Sequence, residues 1–284
     1  MSIKIITDSG CDLPKSLLEM LDIDVMPLLV YLDDVEHKDG ETITHKAFFD
    51  AMRAGAKTRT AQIPTVVFEE HFRRYAEIGD DVLYIAFSSG LSGTYQTAEL
   101  VRNDIIEEYP NFKLHIIDSK CASIGFGLVV YYAAQMAKSG ESLENIIEKT
   151  MFNKDHMEHI FTVDDLEYLY RGGRVSRGAA VVGSMLNIKP ILDVEDGKLV
   201  PLQKIRSRKK AIKRMIEIMD ERGVNLDQQT IGINHGDDLE TAELLQSMIV
   251  EKFGSSDFIL NYVGCAIGAH SGPGTLSVFF LNSL

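Results

Sequence analysis

The chain has 284 residues, 45% hydrophobic and 25% charged, the balance of a folded globular protein rather than a disordered one. Its 42 acidic and 29 basic side chains leave a net charge of −13, which disfavours non-specific attraction to nucleic acid or to an anionic membrane. The length suggests about two domains, and the widely spaced Cys11, Cys121 and Cys265 form neither a CxxC pair nor an even disulfide set, as expected in a reducing cytoplasm.

No basic, cleavable leader precedes the first strand pattern and no run is apolar for long enough to span a bilayer, so neither secretion nor integral membrane association is expected. Residues 3–7, 23–32, 82–87 and 114–117 are short apolar runs rich in β-branched residues. Segments with helical spacing separate them, as at Leu17, Leu18 and Leu21 or at Leu100, Val101 and Ile105. This alternation predicts an α/β domain over residues 1–153, a parallel sheet flanked by helices, with the polar stretch 153–156 as the boundary. A second α/β domain with a mixed sheet is expected over residues 154–284. Its strands fall at 188–194, 199–205, 230–234, 258–263 and 276–281, its hairpin turn at Glu195-Asp196-Gly197-Lys198, and its amphipathic helices at 208–219 and 239–253.

Ligands of open parallel sheets settle beyond the carboxyl ends of the strands. Three loops at such ends are rich in hydroxyls: 7–14 (Thr-Asp-Ser-Gly-Cys-Asp-Leu-Pro), 88–95 (Ser-Ser-Gly-Leu-Ser-Gly-Thr-Tyr) and 118–123 (Asp-Ser-Lys-Cys-Ala-Ser). The second precedes a helix, whose free N–H groups favour an anion. Turn formation and capping are the ordinary uses of such residues. Two further segments shift the balance toward a carboxylate or phosphate site: a polar loop at 58–65 between two helices, and a Gly-rich turn at 268–275 carrying one imidazole, His270.

Other chemistries fit less well. Ser92, Asp118 and His270 follow the chain order of an α/β-hydrolase triad, yet Gly90-Leu91-Ser92-Gly93-Thr94 has Thr where G-x-S-x-G ends in Gly. No phosphate-binding Gly motif is present, and His156 and His159, three apart on an expected helix, lack H-E-x-x-H and read as surface residues. No metal ligands are assigned. Lys204, Arg206, Arg208, Lys209, Lys210, Lys213 and Arg214 form a basic run. There Ile212, Met215, Ile216 and Met219 mark the buried stripe of a helix capped by Ser207. Cations at the positive end of that helix are unfavourable, which suggests a binding use.

Four motifs, at 7–14, 88–96, 170–176 and 267–274, together resemble the DegV family of fatty-acid-binding proteins, carriers that present acyl chains to the bacterial fatty acid kinase. The resemblance covers essentially the whole chain. It departs at the family's Thr-Ser-Gln-Pro loop, where Ala61 replaces Ser and Ile63 stands between Gln62 and Pro64. It implies a long-chain fatty acid held between helices and sheet near the interdomain loops, its carboxylate bonded by Thr60 and Ser92 and supported by His270, with Gly93, Arg171 and Arg174 as additional candidates. It further implies a cytoplasmic carrier for phospholipid synthesis rather than an enzyme, with no cofactor and no nucleic-acid partner. A fatty acid kinase subunit would dock at Lys204, Arg206, Lys209 and Lys210. An acyl hydrolase and a regulatory α/β protein without a lipid site are the alternative readings.

Overall fold

Apolar runs and amphipathic segments alternate through the chain, and a computed structural model, describing residues 3–175 and 188–284, shows what they build. In chain order come β1 (Ile3–Asp8), α1 (Lys15–Met20), β2 (Asp24–Met26), β3 (Leu29–Leu32), β4 (Val35–Lys38), α2 (His45–Arg53), β5 (Thr58–Ala61) and α3 (Thr65–Ile78). Then follow β6 (Asp81–Ala86), α4 (Thr94–Glu108), β7 (Leu114–Asp118), α5 (Ser123–Ser139), α6 (Leu143–Asp155), β8 (Met157–Thr162) and α7 (Leu166–Arg171). The remainder is β9 (Ile188–Glu195), β10 (Lys198–Arg206), α8 (Arg208–Arg222), β11 (Ile231–His235), α9 (Leu239–Phe253), β12 (Phe258–Tyr262), α10 (Cys265–Ser271) and β13 (Leu276–Leu281).

The expected parallel sheet is present, in the order β2-β1-β6-β7. The run 23–32 is not one strand, however. Pro27 has no N–H to give to a ladder; β2 ends before it, and β3 joins a separate antiparallel sheet, β4-β3-β5. Residues 58–61, expected in a loop, are the edge strand of that small sheet, with Thr60 opposite Val30. The mixed sheet runs β10-β9-β8-β13-β11-β12, antiparallel except between β11 and β12. Its first hairpin turns where expected, with Asp196 and Gly197 both at positive φ, 45° and 75°, as a tight two-residue turn requires.

Helix α8 buries Ala211, Ile212, Met215, Ile216, Ile218 and Met219, the expected stripe. Ser207 does not cap it: its φ is 79° and its side chain makes no cap bond. Arg208 is instead bonded to Asp164 and Asp238, at 3.1 and 2.7 Å. These carboxylates offset the unfavourable position that the sequence took as a sign of binding. Lys204, Arg206, Lys209 and Lys210 are exposed and in no ion pair among the described residues.

Between the parallel and mixed sheets lies α5, apolar on all sides from Ile124 to Ala134, as a helix segment covered on both faces must be. Its Gly125 faces His159 and Phe279 of the mixed sheet, and its Gly127 faces the Cys11 carbonyl beyond β1. His159 is therefore not a surface residue on a helix. The period-two pattern of β8 turns Met157, His159 and Phe161 toward α5, and His159 is 2% exposed. His156 ends α6, stacked on Phe152.

A Cβ at position 127 would meet a backbone carbonyl that cannot move aside. Gly127→Ala is expected to destabilise the fold by about 1–3 kcal/mol in urea unfolding, and an unchanged midpoint would show that α5 does not hold the two layers this closely.

Candidate ligand-binding site

A cavity of about 220 Å³ lies where β5, α10 and the loop after β6 face the inner surface of β8 and β13. Phe87, Leu91, Phe161, Leu169, Leu199 and Phe279 contribute apolar wall; Thr60, Gln62, Ser92, Gly93, Arg174 and His270 contribute polar wall. Helix α7 and the start of α5 complete the lining through Leu169, Ala122 and Ser123.

The polar groups are placed by the local folds beneath them. Alternation along β5 sends Thr58 and Thr60 to one face, where Thr58 Oγ1 donates to the Ala269 carbonyl (3.1 Å) and Thr60 Oγ1 lies 2.8 Å from His270 Nε2. Arg59 takes the other face and stacks on Tyr31. The loop after β6 is tied down by Asp8, a buried carboxylate that accepts from Phe87 N–H at 2.8 Å and Tyr84 O–H at 3.0 Å. Burial pushes the Asp8 carboxyl up to about 7. Beyond it, Ser92 Oγ accepts from Thr94 N–H at 3.3 Å and shares a 2.8 Å hydrogen bond with Thr94 Oγ1. Gln62 lies against Gly93 and donates to Thr97 Oγ1, at 2.7 Å.

His270 stands on the last turn of α10, so the segment expected as a Gly-rich turn is helical through Ser271 and turns only afterwards. A Cβ at Gly172 would collide with His270 Nδ1, which explains a glycine in the middle of the Tyr-Arg-Gly-Gly-Arg stretch. Burial, reinforced by the nearby Arg174 charge, lowers the imidazole to about 4, so it is neutral at pH 7. Arg174 is half-buried and gives Nε and Nη2 to the Leu91 carbonyl at 3.1 and 3.0 Å. No carboxylate pairs with it among the described residues. Arg171 points elsewhere: it is exposed, lies over Tyr168 and faces Glu167 at 3.8 Å. Ser176, the last residue of that motif, lies outside the described residues.

Thr60, Ser92, Gly93, Arg174 and His270 thus meet around one cavity, whereas Arg171, Lys204, Arg206, Lys209 and Lys210 do not line it. His159 and Ser277 are polar lining residues that sequence reading does not place at the site, and Gln62 enters it only as part of the polar loop 58–65. His159 Nε2 accepts from Ala122 N–H at 3.2 Å and Nδ1 lies 3.1 Å from the Met157 carbonyl, and burial lowers this imidazole also to about 4. Most hydroxyls of the other two loops are structural. Ser9 donates to Asp39, Ser119 to the Cys121 carbonyl, and Ser123 to Asp12. The hydrolase relay is not assembled, because Asp118 bonds to Ser89 and Lys120 while His270 bonds to Thr60. Asp39, His45 and Cys265 bring potential metal-ligating atoms within 4.8 Å of one another, but the Asp39 oxygens already accept from Ser9 O–H and Cys265 N–H.

The sequence matches, over residues 2–283, the family described as "Uncharacterised protein, DegV family". A DegV domain-containing protein of Clostridium perfringens is 44% identical over 280 residues, covering 98% of this chain and 96% of that protein. A fatty-acid-binding DegV family protein from Thermus thermophilus superposes with a TM-score of 0.89 at 31% identity, covering 98% of this chain and 99% of the other. DegV of Bacillus subtilis, described as a fatty acid binding protein, gives 0.87 at 31% identity, with 98% of both chains covered.

Both cavity imidazoles bind a proton more weakly in the folded chain than in the unfolded one. Their contribution to stability is complete above pH 6.5 and is lost as the pH falls toward 4. Asp8, with its raised carboxyl, acts in the opposite sense, so global stability does not isolate the imidazoles. A ¹⁵N NMR titration is expected to find His159 and His270 neutral down to about pH 4; a midpoint at 6.5 or above for either would contradict the burial described. Gly172→Ala is expected to shift the His270 signals alone.

Proposed function

The chain belongs to the DegV family, and from that premise we propose that it binds a long-chain fatty acid in this cavity, with the carboxylate at Thr60 and Ser92. Arg174 carries the reading. A half-buried guanidinium at a cavity wall, with no acidic partner among the described residues, favours an anionic ligand, since a charge taken from water is stabilised by an opposite one.

The neutral His270 suits this role. With its proton on Nε2 it donates to Thr60 Oγ1 and frees the Thr60 hydroxyl to donate to the carboxylate; Ser92 and the N–H groups at the start of α4 supply further donors. Such a set orients the head group without enclosing it in permanent charge. The apolar wall supplies most of the affinity, about 0.8 kcal/mol for each methylene buried. The fatty-acid-binding relatives from Thermus thermophilus and Bacillus subtilis support the ligand class.

In this reading the protein is a cytoplasmic carrier and not an enzyme. It presents the acid to a fatty acid kinase, for phosphorylation to an acyl phosphate and use in phospholipid synthesis, and the kinase docks at the exposed cations Lys204, Arg206, Lys209 and Lys210.

Native mass spectrometry followed by denaturing extraction tests the ligand. Protein purified from a bacterial host is expected to carry about one long-chain fatty acid per chain. Removing Thr60 and Ser92 hydroxyls together (Thr60→Ala, Ser92→Ala) is expected to weaken retention about tenfold or more, since hydrogen bonds to a charged group are worth about 1.5–3 kcal/mol. A protein that arrives lipid-free and binds no member of a mixed fatty-acid panel would overturn the proposal. For the partner, Lys209→Glu with Lys210→Glu is expected to slow acyl phosphate formation by added kinase; an unchanged rate would remove these lysines from the docking surface.

A further inference from the structure

Helix α10 has seven residues, too few to hold a helical shape by propensity alone. Its N-cap residue is Gly264, which has no side chain to satisfy the first N–H groups. A capping side chain cannot replace it: a Cβ at 264 would collide with Asp12 Oδ1 and come within 3.3 Å of Asp39 Oδ2. The cap comes instead from 226 residues away in the chain. Asp39 Oδ1 accepts from Cys265 N–H at 2.8 Å, with the Ala266 N–H beside it.

We infer that Asp39 is a positioning residue of the head-group site, acting as a long-range cap that fixes where α10 presents His270. The inference rests on the fatty-acid reading for its functional consequence, and on geometry for the rest.

Asp39 is itself held rigidly. It is 3% exposed, its Oδ2 accepts from Ser9 O–H at 3.0 Å, and its own N–H donates to the Leu28 carbonyl at 2.9 Å. Ser9 Oγ in turn accepts from Leu28 N–H at 3.0 Å, closing a small network, and Leu28 lines the cavity. At its other end α10 is held by Thr58, bonded to the Ala269 carbonyl, while the Phe49 ring packs on Gly268. These contacts fix the last turn sideways, but the Thr58 bond reaches a carbonyl and leaves the first N–H groups unmet. Without Asp39 the first turn frays, and the imidazole five residues on loses its registration with Thr60.

The test compares Asp39→Ala, Asp39→Asn and Asp39→Glu with Ile249→Val, a core change in α9. Each protein is checked for folding by circular dichroism, its His270 signals are followed by ¹⁵N NMR, and palmitate affinity is measured. Asp39→Ala is expected to move the His270 titration toward that of a free imidazole and to weaken palmitate binding about tenfold. Asp39→Asn, whose amide oxygen still accepts an N–H, is expected to recover most of both. Asp39→Glu keeps the charge but misplaces it, and is expected to disturb His270 even if the alanine variant does not fold. Ile249→Val is expected to change neither readout. Unaltered His270 signals in a folded Asp39→Ala or Asp39→Glu protein would overturn the inference, as would equal effects from Ile249→Val. Failure of the fatty-acid reading looks different: the unmodified protein would bind no palmitate, while the His270 signals would still separate the variants.

Discussion

The placement of α10 is the constraint on which the polar end of the cavity depends. A helix this short, with glycine at its N-cap, is stable only through what surrounds it, and its surroundings come from the opposite end of the sequence: Asp39 before its first turn, Phe49 of α2 along its side, and Thr58 of β5 at its last. The small antiparallel sheet β4-β3-β5 is the frame for these contacts. Asp39 directly follows β4, and Thr58 and Thr60 both project from β5, so the same sheet that fixes the helix also delivers Thr60 to His270. Structure and site are therefore built from one set of bonds.

Electrostatics follows from that packing. Enclosure makes His270 and His159 neutral, which removes two cations from the wall and leaves Arg174 as the charged side chain lining the cavity among the described residues. In the proposed fatty-acid complex, one guanidinium with hydroxyls and backbone donors would orient the carboxylate and leave most of the binding free energy to the apolar chain. A hydrolase relay is not assembled among the described residues, because His270 is engaged with Thr60 and Asp118 with Ser89.

What could be read in the sequence was local pattern. The parallel strands β1, β6 and β7, the mixed-sheet strands β9 to β13, the tight turn at Asp196-Gly197 and the stripe of α8 are each set by residues within a few positions of one another, and they fall where expected. Thr60, Ser92 and His270 were legible through motif resemblance. What was hidden depends on contacts far apart in the chain. The alternation Thr58-Arg59-Thr60-Ala61 is a strand signal four residues long, too short to outweigh its polarity; Pro27 divides a run that looks continuous; and His159 reads as helical until β8 is seen to begin one residue after His156. Arg171 and Arg174 look equivalent around two glycines, yet the chain turns between them and only one reaches the cavity. Asp8, Asp12 and Asp39 act across 76 to 226 residues, and no spacing rule reports that.

The most direct measurement is a crystal structure of the protein with bound palmitate. The account predicts the carboxylate within hydrogen-bond distance of Thr60 Oγ1 and Ser92 Oγ, with the acyl chain running along β8 and β13 past His159 and Phe279. A carboxylate seated at His159 instead, or an acyl chain outside this cavity, would contradict it.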